Sequence, residues 1–193
     1  MKKLLVLSAA VILVATVNAQ TEIASIKEEE ANLKGQESVI KKEKREAKKE
    51  LRKLEDNEVA YPSRVAFISD FGNIPVTGWE RTTNYDEATF TKDGQVMTAY
   101  YDFDSKLVGT TSHKTFADIP AIAQKYINTK YPGYRNTDVI FFDDNELNET
   151  DMRLYGEQFN DADNYFVELK KGNKEIILKV NRWGSVSFFR QLK

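Results

Sequence analysis

The sequence predicts an α+β fold, with two helices on one face of a curved, largely antiparallel sheet of about eight strands and a long charged helix ahead of it. Three observations carry the expectation. The chain ends in three strand-like runs, Tyr165–Lys171, Lys174–Val180 and Ser185–Arg190, separated by Gly172-Asn173 and Trp183-Gly184, turn residues that close short β-connections. A stretch of the same character, Ala88–Asp102 followed by Ser105–Thr111, lies 79 residues upstream; the shift places Phe90 on Leu169, Met97 on Ile176, Ala99 on Leu178, Tyr101 on Val180 and Leu107 on Val186. A helix-like segment precedes each stretch. The chain reads as a tandem of helix plus four antiparallel strands, in repeats at about 61–111 and 116–192.

Taken in order, Met1-Lys2-Lys3 is a basic head, Leu4–Val17 is almost wholly apolar, and Val17-Asn18-Ala19 has the small residues of a cleavage site. Residues 1–19 read as a signal peptide cut after Ala19, since the apolar run falls short of the roughly 20 residues of a membrane span. A periplasmic or secreted product with no stable membrane insertion is expected. Residues 20–58 then turn to Glu, Lys, Arg, Ala and Leu, strong helix formers. Lys27–Glu58 holds ten basic and ten acidic residues, and Ile26, Leu33, Ile40, Ala47 and Leu54 recur every seven. The companion heptad position is apolar only at Ile23 and Leu51, half of a coiled-coil seam.

Residues 59–193 form the tandem. Tyr61-Pro62 opens a helix with Val65, Phe67, Ile68 and Phe71 on one face, and Gly72-Asn73 ends it. Thr77–Thr82 is a strand, Asp86–Lys92 and Gln95–Asp102 a hairpin about Asp93-Gly94, and Lys106–Thr111 a fourth strand. Phe116–Lys130 is a second helix, with Ile119, Ile122, Ala123, Tyr126 and Ile127 on one face. Thr137–Phe142 is a strand. After it an acidic insertion, Asp143–Asp151 running on to Asp161-Ala-Asp163, has no counterpart in the first repeat.

Composition narrows the chemistry. The chain has 193 residues, 41% hydrophobic and 30% charged, with formal net charge −2; removal of Lys2 and Lys3 takes the charge to −4. That balance argues against nucleic acid as partner. The absence of cysteine excludes disulfides, thiolate catalysis and a lipidated N-terminal Cys. His113, the only histidine, sits in a polar linker where neither a Ser-His-Asp triad nor an HExxH motif can be assembled. No catalytic residue and no cofactor are expected. Asp143, Asp144, Asp161 and Asp163 are hard oxygen ligands of the kind calcium selects, but their spacing does not fit an EF-hand, and a solvated acidic loop is the favoured reading.

Alternation sorts the strands into two faces. Met97, Ala99, Tyr101, Ile176, Leu178 and Val180 share one parity and should face the helices. Trp79, Tyr100, Phe166, Lys179 and Phe189 are the candidates for an open, partner-binding face, aromatic residues in polar surroundings being common interface anchors. Packing against loops, or against the N-terminal helix folded back, is the competing explanation for the same residues.

At Phe116-Ala-Asp-Ile-Pro120, Tyr126-Ile127, Tyr131-Pro-Gly133, Tyr165–Leu169 and Gly184 the chain resembles the PepSY-like family, also described as β-lactamase-inhibitor-like (BLIP-like) secreted proteins of Bacteroidetes. Phe67, Phe71, Trp79 and Ala99–Asp102 resemble the other half of the same tandem. The resemblance covers about residues 60 to 193 and implies a fold whose concave sheet surface holds a protein partner in the inhibitor itself. This chain lacks the inhibitor's cysteines and adds the charged helix. The expected function is an exported, non-enzymatic binding or inhibitor-like module for an unknown protein or peptide. The alternative is an envelope structural or stress-related protein acting through its charged helix.

Overall fold

The computed structural model describes residues 25–44, 46–48, 50–51, 58–160 and 162–193. The leader expected over 1–19 and Asp161 lie outside them. The chain divides into two units, Met1–Leu51 and Arg52–Lys193. In the first, the described residues from 25 to 51 are helical (α1), in keeping with their helix-forming composition. Lys34 and Glu30 form an i,i+4 pair at 3.4 Å, open to solvent and so weakly stabilising. Ile26, Leu33, Val39, Ile40 and Leu51 are each more than half exposed. No helix among the described residues is long and apolar enough to cross a membrane.

The second unit is a mixed α+β body built on an eight-stranded antiparallel sheet. Helix α2 (Tyr61–Phe71) is followed by β1 (Val76–Arg81), β2 (Asp86–Lys92), β3 (Gln95–Tyr101) and β4 (Leu107–Lys114). A 3-10 turn (Phe116–Asp118) and α3 (Ala121–Lys130) lead to β5 (Arg135–Asp144), the short pair β6 (Met152–Leu154) and β7 (Glu157–Phe159), then β8 (Asn164–Lys171), β9 (Lys174–Asn181) and β10 (Val186–Gln191). The sheet order is β1-β2-β3-β4-β5-β8-β9-β10, with β6-β7 a separate two-stranded sheet. At the β2–β3 turn, Asp93 and Gly94 both take positive φ, as a tight hairpin demands.

Both helices cover one face. Ladder partners share a face: Ala88, Ala99, Thr110 and Asp143 pair in turn, and Val139, of the same parity as Asp143 on β5, continues to Val167 and Leu178. Under α2, Phe67 meets Phe90 edge-to-face at 5.0 Å, with Ala88, Ala99 and Tyr101 fully buried beside them. Under α3, Ile119, Ala123 and Ile127 pack on Val139, Val167, Leu169, Ile176, Leu178 and Val180. The period-two alternation therefore sets the core on this side, as expected.

Three local features differ from the expectation. The helix expected over Phe116–Lys130 is broken at Pro120: with no N–H, proline cannot continue the preceding turn, and its carbonyl instead starts α3 by accepting from Ala123 N at 2.8 Å. The turn before it is closed by Asp118, whose carboxylate accepts from Thr115 N and Oγ1, both at 2.7 Å. Both helices are also narrower in their burial than their apolar periodicity implied, for Val65, Ile68, Ile122 and Tyr126 remain exposed. In α2 the place of a wider apolar stripe is taken by buried Ser63, whose hydroxyl donates to Asp86 at 2.7 Å. Fully buried Asp86 also accepts from Ala60 N (3.2 Å) and Arg81 Nε (3.0 Å), anchoring the N-terminus of α2 to β2. Finally, His113 lies on β4, not in a linker, and its Nδ1 meets Asp138 at 2.9 Å.

Candidate binding surface

The face away from the helices carries Glu87, Tyr100, Thr89, Thr98, Thr111, His113, Phe142, Ile140, Phe166, Lys179 and Ile177, set by the same registers. It is not uniformly open. The segment between β5 and β8 folds back across it, and Met152 and Phe159 of the β6–β7 hairpin join Tyr85, Tyr100, Phe142, Phe166 and Ile177 in a second apolar core. Phe159 lies 4.8 Å from Phe166 and 5.2 Å from Phe142, ring to ring.

The expected solvated acidic loop is thus corrected to a fastened structural element. Asn145 Nδ2 donates to Leu107 O at 2.7 Å, Asn148 Nδ2 to Asp102 Oδ2 at 3.1 Å, and Tyr85 Oη to Asp151 O at 3.1 Å. Buried polar groups are held only when so partnered, and Asn148 is buried. At the hairpin tip, Arg190 bonds the Tyr155 carbonyl and pairs with Glu157 at 3.3 Å. Gly109 supplies the room: a Cβ there would fall 2.6 Å from the Phe142 ring. The signal in the sequence was Met152-Arg-Leu-Tyr-Gly156-Glu-Gln-Phe159, an alternating run about a Tyr-Gly turn, masked by the acids around it.

The five candidate anchors separate accordingly. Phe166 is fully buried and Tyr100 nearly so, hence both form the floor beneath the hairpin and neither is free to meet a partner. Phe189, at the bulge between Phe188 and Arg190, is half-buried with its ring 4.9 Å from Phe166. Lys179, the ladder partner of Phe166, lines a cleft of about 260 Å³ with Asn160, Asn164, Asn181 and Ser187. Trp79 is on the opposite face, paired with Ala88, its ring 5.7 Å from Phe67 and under the Arg64 guanidinium at 5.2 Å. A bulge between Val76 and Gly78 shifts the register there, which decides the side on which Trp79 falls.

Of the calcium candidates, Asp143 and Asp144 are adjacent on β5 and so point to opposite faces. Asp163 accepts from Asp144 N at 3.0 Å and pairs with Arg182 at 3.4 Å. Among the described residues, no three carboxylate or imidazole groups converge to hold a metal ion. Burial raises the Asp143 carboxyl, with Asp163 adding to the rise and Lys114 and Arg182 opposing it.

Electrostatically the roofed region keeps its phenols neutral. Burial pushes Tyr100 up to about 12 against the pull of its hydrogen bond with Thr111 (3.1 Å), and Glu87 and Tyr85 push further. Tyr155 is raised well above the usual phenol range by burial, then by Asp138 and Glu168. Burial also lifts Glu87, partly offset by a hydrogen bond from Thr82. Beside the roof, a strip of β2–β4 stays accessible: Thr89 and Thr98 are half-exposed, and Thr91, Val96 and His113 are exposed.

No family model and no curated protein matches the chain. Solved structures do match it. A DUF2874 family protein from Bacteroides uniformis aligns with TM-score 0.57 at 13% identity, covering 70% of this chain and 91% of its own. A BLIP-like protein from Bacteroides fragilis aligns with TM-score 0.54 at 15% identity, covering 70% and 87%. A Bacteroides eggerthii protein, whose name suggests a periplasmic location, aligns with TM-score 0.54 at 14% identity, covering 69% and 88%. At these identities the likeness is one of fold: over about 70% of its length the chain has the fold of BLIP-like and DUF2874 proteins.

Proposed function

We propose that the chain is an exported, non-enzymatic binding module that takes a protein or peptide partner on the helix-free face of its sheet. One observation carries this reading. The hairpin roofs β5, β8 and β9 but leaves beside it the strip of Thr89, Thr98, Val96 and His113, held on rigid paired strands. Side chains on paired strands stand on a backbone that is already ordered, so binding there costs little backbone entropy, which suits recognition by a preformed surface. Lys179 and half-buried Phe189 border the roof on its other flank, while Tyr100 and Phe166 support it from beneath. The name of the BLIP-like neighbour accords with the reading, and on the same reading the chain is PepSY-like, its two helix-plus-four-strand halves a tandem. Export rests on the leader expected over residues 1–19, and the name of the Bacteroides eggerthii neighbour agrees with it.

Photo-crosslinking tests this directly. A crosslinking residue at Val96 should give a discrete adduct in the native envelope, and one at exposed Ile68 on α2 should not. Adducts at both or at neither would reject the face.

The second reading, an envelope structural protein acting through α1, has its own observation: Ile26, Leu33 and Ile40 recur at heptad spacing and stand more than half exposed. Removing residues 20–58 separates the two. The Val96 adduct survives under the first reading, whereas under the second the envelope phenotype disappears.

A further inference from the structure

We propose that β10 is a docking edge, at which an extended, acidic, apolar-alternating segment of another protein adds as a ninth strand beside α3. The inference does not depend on the sheet-face reading, since it concerns a different surface. The sheet has two edges, β1 and β10, and they are protected unequally. Pro75 precedes β1, a bulge interrupts it between Val76 and Gly78, Thr77 Oγ1 turns back to Thr89 O at 3.0 Å, and Glu80 and Arg81 close it with charge. β10 (Val186–Gln191) also has a bulge, but its run up to Phe188 is uncharged, and Phe188 is 59% exposed on the helix face opposite Leu178. On the same side stand the apolar residues of α3 that its core leaves uncovered, Ile122 (67% exposed) and Tyr126 (43% exposed).

The two elements are locked together, so the surface is preformed. Gly184, buried at positive φ just before β10, lies against α3 so closely that a Cβ would fall 2.3 Å from Ile122 Cγ2. An added strand would place alternate side chains beside Phe188 and over the Ile122–Tyr126 ridge, while its backbone continues the ladder.

Charge names the partner's chemistry. The chain is net −2, yet neither α3 (Ala121–Lys130) nor the segment 182–193 contains a single Asp or Glu, while together they carry Lys125, Lys130, Arg182, Arg190 and Lys193. Arg182, Arg190 and Lys193 are already paired, with Asp163, Glu157 and Glu175, so the cations left to meet a partner's carboxylates are Lys125 and Lys130 of α3. A second copy pairing β10 to β10 would bring these lysines no side-chain carboxylate from its own α3 or 182–193, whereas an acidic strand would.

Fluorescence anisotropy with a labelled peptide of about eight residues alternating Val and Glu tests the proposal, against a Val/Lys peptide and a Val/Glu peptide with a central Pro. The purified protein should bind the acidic peptide, weakening as salt rises, and bind neither control. Phe188→Glu should weaken binding about tenfold or more, as should Lys125→Glu on the exposed surface of α3. Val96→Glu, on the other face, should leave it unchanged. Equal binding of the acidic and basic peptides, or unaltered affinity in Lys125→Glu and a folded Phe188→Glu, overturns the proposal. If Phe188→Glu does not fold, Lys125→Glu alone decides. A dimer seen by sedimentation and lost in either variant also overturns it, by assigning the edge to a second copy.

Discussion

The two faces of the one sheet are buried by different means. On one, α2, α3 and the turn before α3 lay Phe67, Ala123, Ile127 and Ile119 on side chains of matching parity, and the cover stands immediately before the strands it protects. On the other, a hairpin inserted between β5 and β8 brings Met152 and Phe159 over Tyr100, Phe142 and Phe166, and is fastened back to the β3–β4 connection by Asn145 and Asn148. Every one of these rings packs edge-on or tilted, as in an ordinary protein interior. The comparison shows that strand alternation names two faces but does not say which is wet: an inserted hairpin of two three-residue strands suffices to make the second face a core.

The sharpest way to break the comparison is to truncate a ring on each side. Phe166→Ala and Phe90→Ala should both cost about 3–5 kcal/mol in urea unfolding. Were the hairpin face a wet surface, Phe166→Ala would cost under about 1 kcal/mol and the equivalence of the faces would fail. Met152→Ala, at a fully buried site in the hairpin, should cost about 2–5 kcal/mol, and hydrogen exchange should rise over β6–β7 while α2 and α3 stay protected. On the helix side, Gly184→Ala should lose about 2–4 kcal/mol, combining a left-handed φ with overlap on Ile122, and the melting temperature reports it.

A smaller effect marks the hairpin face by pH. Tyr100, held neutral to about 12, ionises later in the folded chain than in the unfolded one. The unfolded chain therefore releases its proton first, and stability falls as pH climbs from about 10 to 12, by about 2–3 kcal/mol at most. Tyr100→Phe should remove its share of the alkaline slope, leaving that of raised Tyr155, at a cost of about 1 kcal/mol near neutrality from the lost Thr111 bond. The smallest change lies before α3. Asp118 is held below the usual carboxylate range by the Thr115 amide and hydroxyl, so its contribution is present above the unfolded value and fades as pH falls through the folded one. Asp118→Asn should flatten that acid limb in a thermal-melt series.

Much of the architecture was legible in the residues. Asp93-Gly94 and Gly172-Asn173 mark turns whose chemistry is local, and the apolar parity of Ala99, Tyr101, Leu178 and Val180 is a property of pleated strands. The candidate surface was legible only in part. Trp79 changed face because a bulge in β1 shifts the register, and a one-residue slip moves a side chain across the sheet. Tyr100 and Phe166 read as anchors because nothing beside them in sequence covers them; their cover arrives from residues 152–159.

By itself, then, the sequence determined what short-range chemistry governs: the α+β class, the succession of the eight main-sheet strands along the chain, the turns at Asp93-Gly94 and Gly172-Asn173, and the helix face of the core. Tertiary structure decided what depends on distant segments meeting. It closed half of the second face, fastened an acidic insertion through buried Asn148, and left Ile122 and Tyr126 outside the core that their periodicity promised. The physical reason is that periodicity records which side chains lie together, whereas burial depends on what packs above them, and no local signal carries that.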